Sequence, residues 1–186
     1  MFDVSALLFD LDGTLVDTRA ANFAAYAQAL AEVGVVVEEI AFNRLADGRN
    51  WRWFLPQILG EAADKAPAVA ARKAQLYPGL VGRSRPNPAL IALAEAARGH
   101  VPTAVVTTAS AANAGAVLAG HGLADLFDLV VSGDDVTRHK PDPEAYALAA
   151  ARLGVAPGRC LAFEDSDAGA ASAAAAGMPV IRVSLA

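Results

Sequence analysis

Short apolar runs alternate with helical patterns along most of the chain. Between most of the runs lie alanine-rich segments with helical spacing, at Pro88–Arg98, Ala111–His121, Pro143–Leu153 and Asp167–Ala176. The five runs have the composition of buried strands, and they are Ser5–Asp10, Val101–Thr107, Leu129–Ser132, Arg159–Glu164 and Val180–Ser184. Alternation of strand and helix is typical of parallel βαβ units. We therefore predict an α/β fold with a Rossmann-like open parallel sheet flanked by helices.

One interval breaks this alternation, because roughly ninety residues separate the first two predicted strands, far more than one crossover needs. It holds helical patterns at Thr18–Val33, Glu38–Ala46, Asn50–Leu59 and Ala62–Gln75. We expect Pro56 to kink or end the third of these helices. The interval closes with a Pro/Gly-rich stretch, YPGLVGRSRPNP, that is typical of a linker. We predict an inserted small all-helical cap at residues 17–82 and an α/β catalytic core at residues 1–16 and 83–186.

Composition limits the class of protein. The chain has 186 residues, of which 55% are hydrophobic, so it can bury a core and is not of the disordered class. Its net charge of −5 and the lack of a Lys/Arg cluster argue against a nucleic-acid partner. Neither a signal-peptide pattern nor a membrane-spanning apolar run is present. With Cys160 as the only cysteine, we expect no disulfide framework and a cytoplasmic location.

Chemically competent residues follow four of the five predicted strands. They are acids, hydroxyls and one lysine, namely Asp10 and Asp12, Thr107 and Thr108, Lys140, and Glu164 and Asp165. Ligands in open α/β sheets bind outside the carboxyl ends of the strands. The sequence therefore predicts that these side chains meet in one site.

Acids at neighbouring strand ends suit Mg²⁺, which prefers oxygen ligands. Asp10 and Asp12 face the same way if the segment is extended, whereas the adjacent Glu164 and Asp165 do not. We therefore favour Asp165 as a metal ligand, with Glu164 supporting it. A carboxylate can also attack phosphorus, and a second carboxyl can exchange protons with the leaving oxygen and water. Lys140 would offset charge on the phosphoryl oxygens.

These motifs resemble those of the haloacid dehalogenase superfamily, in its phosphoglycolate phosphatase and beta-phosphoglucomutase-like branch with a small helical cap. FDLDGTLVDT resembles the nucleophile motif, VVTT the hydroxyl motif, and HKPDPEAY the lysine motif. FEDSDAGAASAAAAGMPVI is similar to the acidic metal motif. Together the four motifs cover nearly the whole predicted core in the family's order.

The resemblance implies that Asp10 is the nucleophile and Asp12 the general acid and base, while Thr107 and Lys140 bind the phosphoryl group. It also implies a Mg²⁺ ion held by Asp10, the Asp12 carbonyl and Asp165. We expect further substrate contacts from Gly13, Thr14, Thr108 and, in the cap, Arg49. The function implied is a Mg²⁺-dependent phosphomonoester hydrolase that acts on a small phosphorylated metabolite through an aspartyl-phosphate. We expect a monomer or homodimer with no nucleic-acid or membrane partner.

Several alternatives stay open at this point. A sugar phosphomutase uses the same core motifs, and a catalytically silent or receiver-like phosphate-binding domain is the non-enzymatic alternative. A receiver, however, places its acidic pair before the acceptor Asp in the chain. A dehalogenase has no use for the metal acids, and the cap lysines Lys65 and Lys73 lack the motif of a phosphonate-cleaving enzyme. Trp51 and Trp53 either pack the cap or line a substrate pocket.

Overall fold

The computed structural model describes residues 4–46, 49 and 51–185. Within these ranges the chain forms strands β1 (Ala6–Phe9), β2 (Val16–Asp17), β3 (Arg85–Pro86), β4 (Thr103–Val106), β5 (Leu129–Val131), β6 (Cys160–Glu164) and β7 (Val180–Arg182). The helices are α1 (Arg19–Ala31), α2 (Glu39–Ala46), α3 (Trp51–Leu59), α4 (Ala66–Leu76), α5 (Pro88–Ala97), α6 (Ala111–Gly120), α7 (Glu144–Leu153) and α8 (Asp167–Ala175). None of the helices in the described ranges is long and apolar enough to cross a membrane.

Five strands form one sheet in the order β5-β4-β1-β6-β7, and every neighbouring pair is parallel. The predicted Rossmann-like sheet flanked by helices is confirmed. Phe9 of β1 lies opposite Val105 of β4 and Phe163 of β6. This register brings the carboxyl ends of the three central strands to the same level, where ligands bind in sheets of this kind.

Successive strand residues point to opposite faces of the sheet. On one face Leu8 and Val106 pack in a buried cluster with α7 residues Tyr146 and Ala149 and with Ala173 of α8. Small alanine side chains allow these helices to approach the sheet closely. Phe9 alternates with Leu8, and its ring stacks on that of Phe163 at a centroid separation of 4.9 Å. Strands β1 and β4 are buried at every residue, so both faces of the centre of the sheet are covered, which accounts for the apolar runs there.

The chain divides into two compact units. One consists of the residues up to Asp17 and those from Arg85 onward, and it contains the sheet. The other is Thr18–Ser84, which contains α1 to α4. The helical unit has its own core, in which Phe42 lies 5.3 Å from Tyr26 and 5.6 Å from Phe54 between ring centroids.

The structure adds detail to two predictions about the inserted segment. Part of the Pro/Gly-rich stretch is regular, because Tyr77–Arg83 forms a 3-10 helix whose Tyr77 and Val81 are buried. Helix α3 ends at the predicted Leu59 with Pro56 inside it, so of the two effects expected of Pro56 the structure excludes the ending of the helix. The start expected at Asn50 lies outside the described residues.

Candidate active site

The turn after β1 is built for close approach to Asp165. Gly13 has a φ of +91°, and its N–H donates to the Val16 carbonyl at 2.8 Å. A Cβ atom at Gly13 would overlap the Asp165 carboxylate, so only glycine fits here without displacing that acid. The hydroxyl of the next residue, Thr14, donates to Asp165 Oδ1 at 3.2 Å. The turn and the acid after β6 therefore form one unit of structure.

Lys140 is the centre of the site. Its Nζ donates to Asp10 Oδ1 at 2.6 Å, to Glu164 Oε1 at 2.6 Å and to the Val106 carbonyl at 2.8 Å. The lysine side chain is only 4% exposed and that of Glu164 is fully buried. The three acceptors come from the adjacent strand ends of β1, β4 and β6, which the sheet register holds level. The ammonium group is thus fixed by acceptors in three directions.

Glu164 has a role that the sequence did not indicate. We expected it to support Asp165, but its carboxylate instead accepts from Lys140 and from the Tyr146 hydroxyl, the latter at 2.7 Å. Its other oxygen, Oε2, accepts from Ser166 Oγ at 3.3 Å. The only available signal for Tyr146 was an aromatic hydroxyl on a helix that faces the sheet, where a buried polar atom needs a partner.

Of the remaining predicted site residues, one contacts the acids, one is exposed to solvent and one belongs to the helical unit. Thr107 Oγ1 donates to Asp12 Oδ2 at a long 3.4 Å and accepts from the Ala109 N–H at 3.0 Å. Thr108 is solvent-exposed. Arg49 belongs to the helical unit, where its guanidinium lies 4.0 Å from the ring centroid of Trp53. The structure therefore brings together the core acids, Thr14, Thr107 and Lys140, and assigns Arg49 an aromatic partner within its own unit.

Comparison with known proteins identifies this arrangement. The family model described as haloacid dehalogenase-like hydrolase matches residues 4–177, which include all of the candidate site residues. The chain belongs to the haloacid dehalogenase-like hydrolase family. The family expected from the four motifs is thereby confirmed.

Relatives of this haloacid dehalogenase-like hydrolase include named phosphatases. The fructose-1-phosphate phosphatase YqaB of Escherichia coli is 36% identical over 97% of this chain and 97% of its own length. The validoxylamine A 7'-phosphate phosphatase of Streptomyces hygroscopicus subsp. limoneus is 33% identical over 92% of this chain and 81% of its own. Among solved structures, CbbY from Rhodobacter sphaeroides in complex with phosphate superposes with a TM-score of 0.81, at 29% identity over 95% of this chain and 84% of that one.

The acids Asp10, Glu164 and Asp165 of this haloacid dehalogenase-like site lie close together, and two of them pair with Lys140. Burial raises the pKa of Asp10 to about 8, although the positive charge of Lys140 opposes the shift. Burial also raises the pKa of Asp165, and the charge of Glu164 adds to the rise. For Lys140, burial alone would lower the pKa, but the charges of Asp10 and Glu164 outweigh it and raise the pKa. Lys140 is therefore held charged beside Asp10, whose ionisation is opposed by burial.

The donor atoms fit a hard divalent cation. One carboxylate oxygen from each of Asp10, Glu164 and Asp165 lies within 4.8 Å of the others. An all-oxygen carboxylate set is what Mg²⁺ and Ca²⁺ prefer. A divalent ion would also offset their negative charge, since buried carboxylates need a counter-charge to stay ionised. Glu164 accepts hydrogen bonds on both oxygens, whereas the side-chain donors Lys140 and Thr14 contact Oδ1 of Asp10 and of Asp165.

Proposed function

We propose that this protein is a Mg²⁺-dependent phosphomonoester hydrolase whose nucleophile is Asp10 and whose substrate is a small sugar phosphate. The observation that carries the proposal is the ion pair between Lys140 and Asp10, which lies in the acid cluster at the carboxyl edge of a parallel sheet. The named relatives that act on fructose 1-phosphate and on a 7'-phosphate support the substrate class.

Asp10, the backbone carbonyl of Asp12 and Asp165 are the proposed holders of Mg²⁺. When bound, the ion would neutralise charge on the acids and on the phosphoryl oxygens. Asp165 is fixed for this role by the Thr14 hydroxyl and by the absence of a side chain at Gly13. A hydrogen-bonded ligand of this kind needs no reorganisation before it binds.

In the proposed reaction an Asp10 carboxylate oxygen attacks phosphorus, and the bond from phosphorus to the substrate's ester oxygen breaks. Asp12 gives a proton to that leaving oxygen, which departs as an alcohol. Asp12 then accepts a proton from a water molecule as the water oxygen bonds to phosphorus. The bond between phosphorus and Asp10 breaks, which releases inorganic phosphate and restores the Asp10 carboxylate.

The other predicted site residues take binding roles in this proposal. Lys140 and Thr107 would stabilise charge on the transferring phosphoryl group, with Gly13, Thr14 and Thr108 near it. The helical unit would act as the cap that excludes water and contacts the rest of the substrate, with Arg49 as its candidate ligand residue. A cytoplasmic location and a monomeric or homodimeric state complete the proposal.

The test is release of inorganic phosphate from a panel of hexose and pentose phosphates, with Mg²⁺ and with EDTA. We expect turnover that depends on Mg²⁺ and is abolished in Asp10→Asn. The control Asp125→Asn makes the same chemical change at an exposed acid and should keep full activity. Phosphorus NMR of the products separates the mutase alternative, because a mutase converts one sugar phosphate to another without net phosphate release.

A further inference from the structure

Tyr146 places a phenol hydroxyl against the acid that holds the catalytic lysine. It lies on α7 and is fully buried in the cluster between that helix and the sheet. Its hydroxyl donates to Glu164 Oε1 at 2.7 Å, the same oxygen that accepts from Lys140 Nζ at 2.6 Å. The Lys140 ammonium also lies 5.0 Å from the centre of the Tyr146 ring. One tyrosine therefore contacts both members of the Lys140–Glu164 ion pair.

The Glu164 carboxylate is held from several sides. Tyr146 and Lys140 donate to Oε1, and Ser166 donates to Oε2 at 3.3 Å. A Cβ atom at Gly169 would overlap this carboxylate, so the backbone of α8 closes the remaining side. Of the two neutral donors in this enclosure, the Tyr146 hydroxyl makes the shorter hydrogen bond, and it shares Oε1 with the Lys140 ammonium.

We propose that Tyr146 is a positioning residue, whose hydroxyl holds the Glu164 carboxylate in the orientation that keeps the Lys140 ammonium against Asp10. The expected effect on kcat rests on the proposed function, whereas the expected effect on the position of Lys140 does not. Without the hydroxyl, Lys140 would be the remaining side-chain donor to Glu164 Oε1 among the described residues. The carboxylate would then turn and draw the ammonium toward itself. The lysine would then stabilise the transferring phosphoryl group less well.

The kinetic test compares Tyr146→Phe with Tyr26→Phe in the full chain. Each variant removes one hydroxyl from a buried tyrosine, and Tyr26 belongs to the core of the helical unit. Because the lost bond is to a charged acceptor, Tyr146→Phe should lower kcat by about tenfold. KM should stay within about threefold, as expected for an interaction that acts mainly in the transition state. Tyr26→Phe should change neither.

A second arm does not depend on activity. Crystal structures of the metal-free wild type and Tyr146→Phe should show the Glu164 carboxylate turned and the Lys140 Nζ to Asp10 Oδ1 contact lengthened only in the variant. In the wild type, proton NMR should show a slowly exchanging hydroxyl proton on Tyr146, a measurement that needs no variant to fold.

The outcomes separate the two proposals. Unchanged kcat in Tyr146→Phe, an unmoved Lys140, equal losses in Tyr26→Phe, or a rapidly exchanging hydroxyl proton would each overturn the positioning role. If wild-type protein hydrolyses no phosphate ester, the proposed function fails, while the crystallographic and NMR results still decide the role of Tyr146.

Discussion

Gly13→Ala should separate the cost of backbone strain from the cost of displacing Asp165. At a φ of +91° an alanine is strained, and its Cβ atom would in addition overlap the Asp165 carboxylate. Gly177 is the matched control, because its φ is +85° and a Cβ atom there would meet only the Cβ of Pro157, at an ordinary 3.9 Å. Both glycines lie in the unit that contains the sheet.

The expected magnitudes follow from these two effects. Left-handed backbone strain costs an alanine about 1–2 kcal/mol, so both variants should lose that much free energy of unfolding in EDTA. Gly13→Ala should lose about 1–2 kcal/mol more, because moving Asp165 breaks its hydrogen bond from Thr14. Displacing the proposed metal ligand Asp165 from its supports should weaken Mg²⁺ binding by about 10–100-fold. Gly177→Ala should bind Mg²⁺ as the wild type does.

Urea unfolding in EDTA gives the stability change, and isothermal titration calorimetry with MgCl₂ gives the affinity. Each measurement is made on both variants beside the wild type, so that strain common to the two glycines cancels. Equal Mg²⁺ affinities for Gly13→Ala and Gly177→Ala would refute the reasoning that Gly13 is required by the position of Asp165.

Two further predictions concern stability. Hydrogen bonds from the Ser132 backbone and hydroxyl, and then Arg152, lower the pKa of Asp135 to about 2 from 3.8. The ionised Asp135 carboxylate therefore stabilises the folded state above pH 3.8, and this stabilisation is lost as the pH falls through about 2. After allowance for solvent screening, Asp135→Asn should lower the free energy of unfolding by about 1 kcal/mol at neutral pH. Urea unfolding that shows the same loss at pH 2 as at neutral pH would contradict this. Phe42→Ala should lower the free energy of unfolding by about 3–5 kcal/mol, because it leaves a cavity at the centre of the helical unit's ring cluster. Ile40→Ala, on the same helix but 73% exposed, should change little. Similar unfolding midpoints for the two variants would be inconsistent with that core.

Much of the sheet and of the acid cluster could be predicted from the sequence. The three central strands are short, largely buried and mostly apolar, and the pattern identified them together with the two edge strands. It placed Asp10, Thr107 and Glu164 at or directly after the ends of their strands. Once the strands are parallel and adjacent, their carboxyl ends meet without any further information. The gathering of these acids with Lys140 followed from topology.

The partners of individual side chains could not be predicted in the same way. The contact of Tyr146 with Glu164 depends on which face α7 turns toward the sheet, and that depends on packing distant in the chain. The 3-10 helix at Tyr77–Arg83, with its buried Tyr77 and Val81, could not be predicted either. Proline and glycine indicate a break in regular structure, but not which side chains around them are buried.

Chemical trapping of the proposed aspartyl-phosphate tests the central claim most directly. The protein is mixed with Mg²⁺ and a sugar phosphate that it hydrolyses. Sodium borohydride is then added, which reduces an acyl phosphate to an alcohol, and the protein is digested for mass spectrometry. The account predicts conversion of Asp10 to homoserine that requires both substrate and Mg²⁺ and leaves Asp12 and Asp165 intact. Steady phosphate release with Asp10 unmodified under trapping, and undiminished in Asp10→Asn, would contradict it.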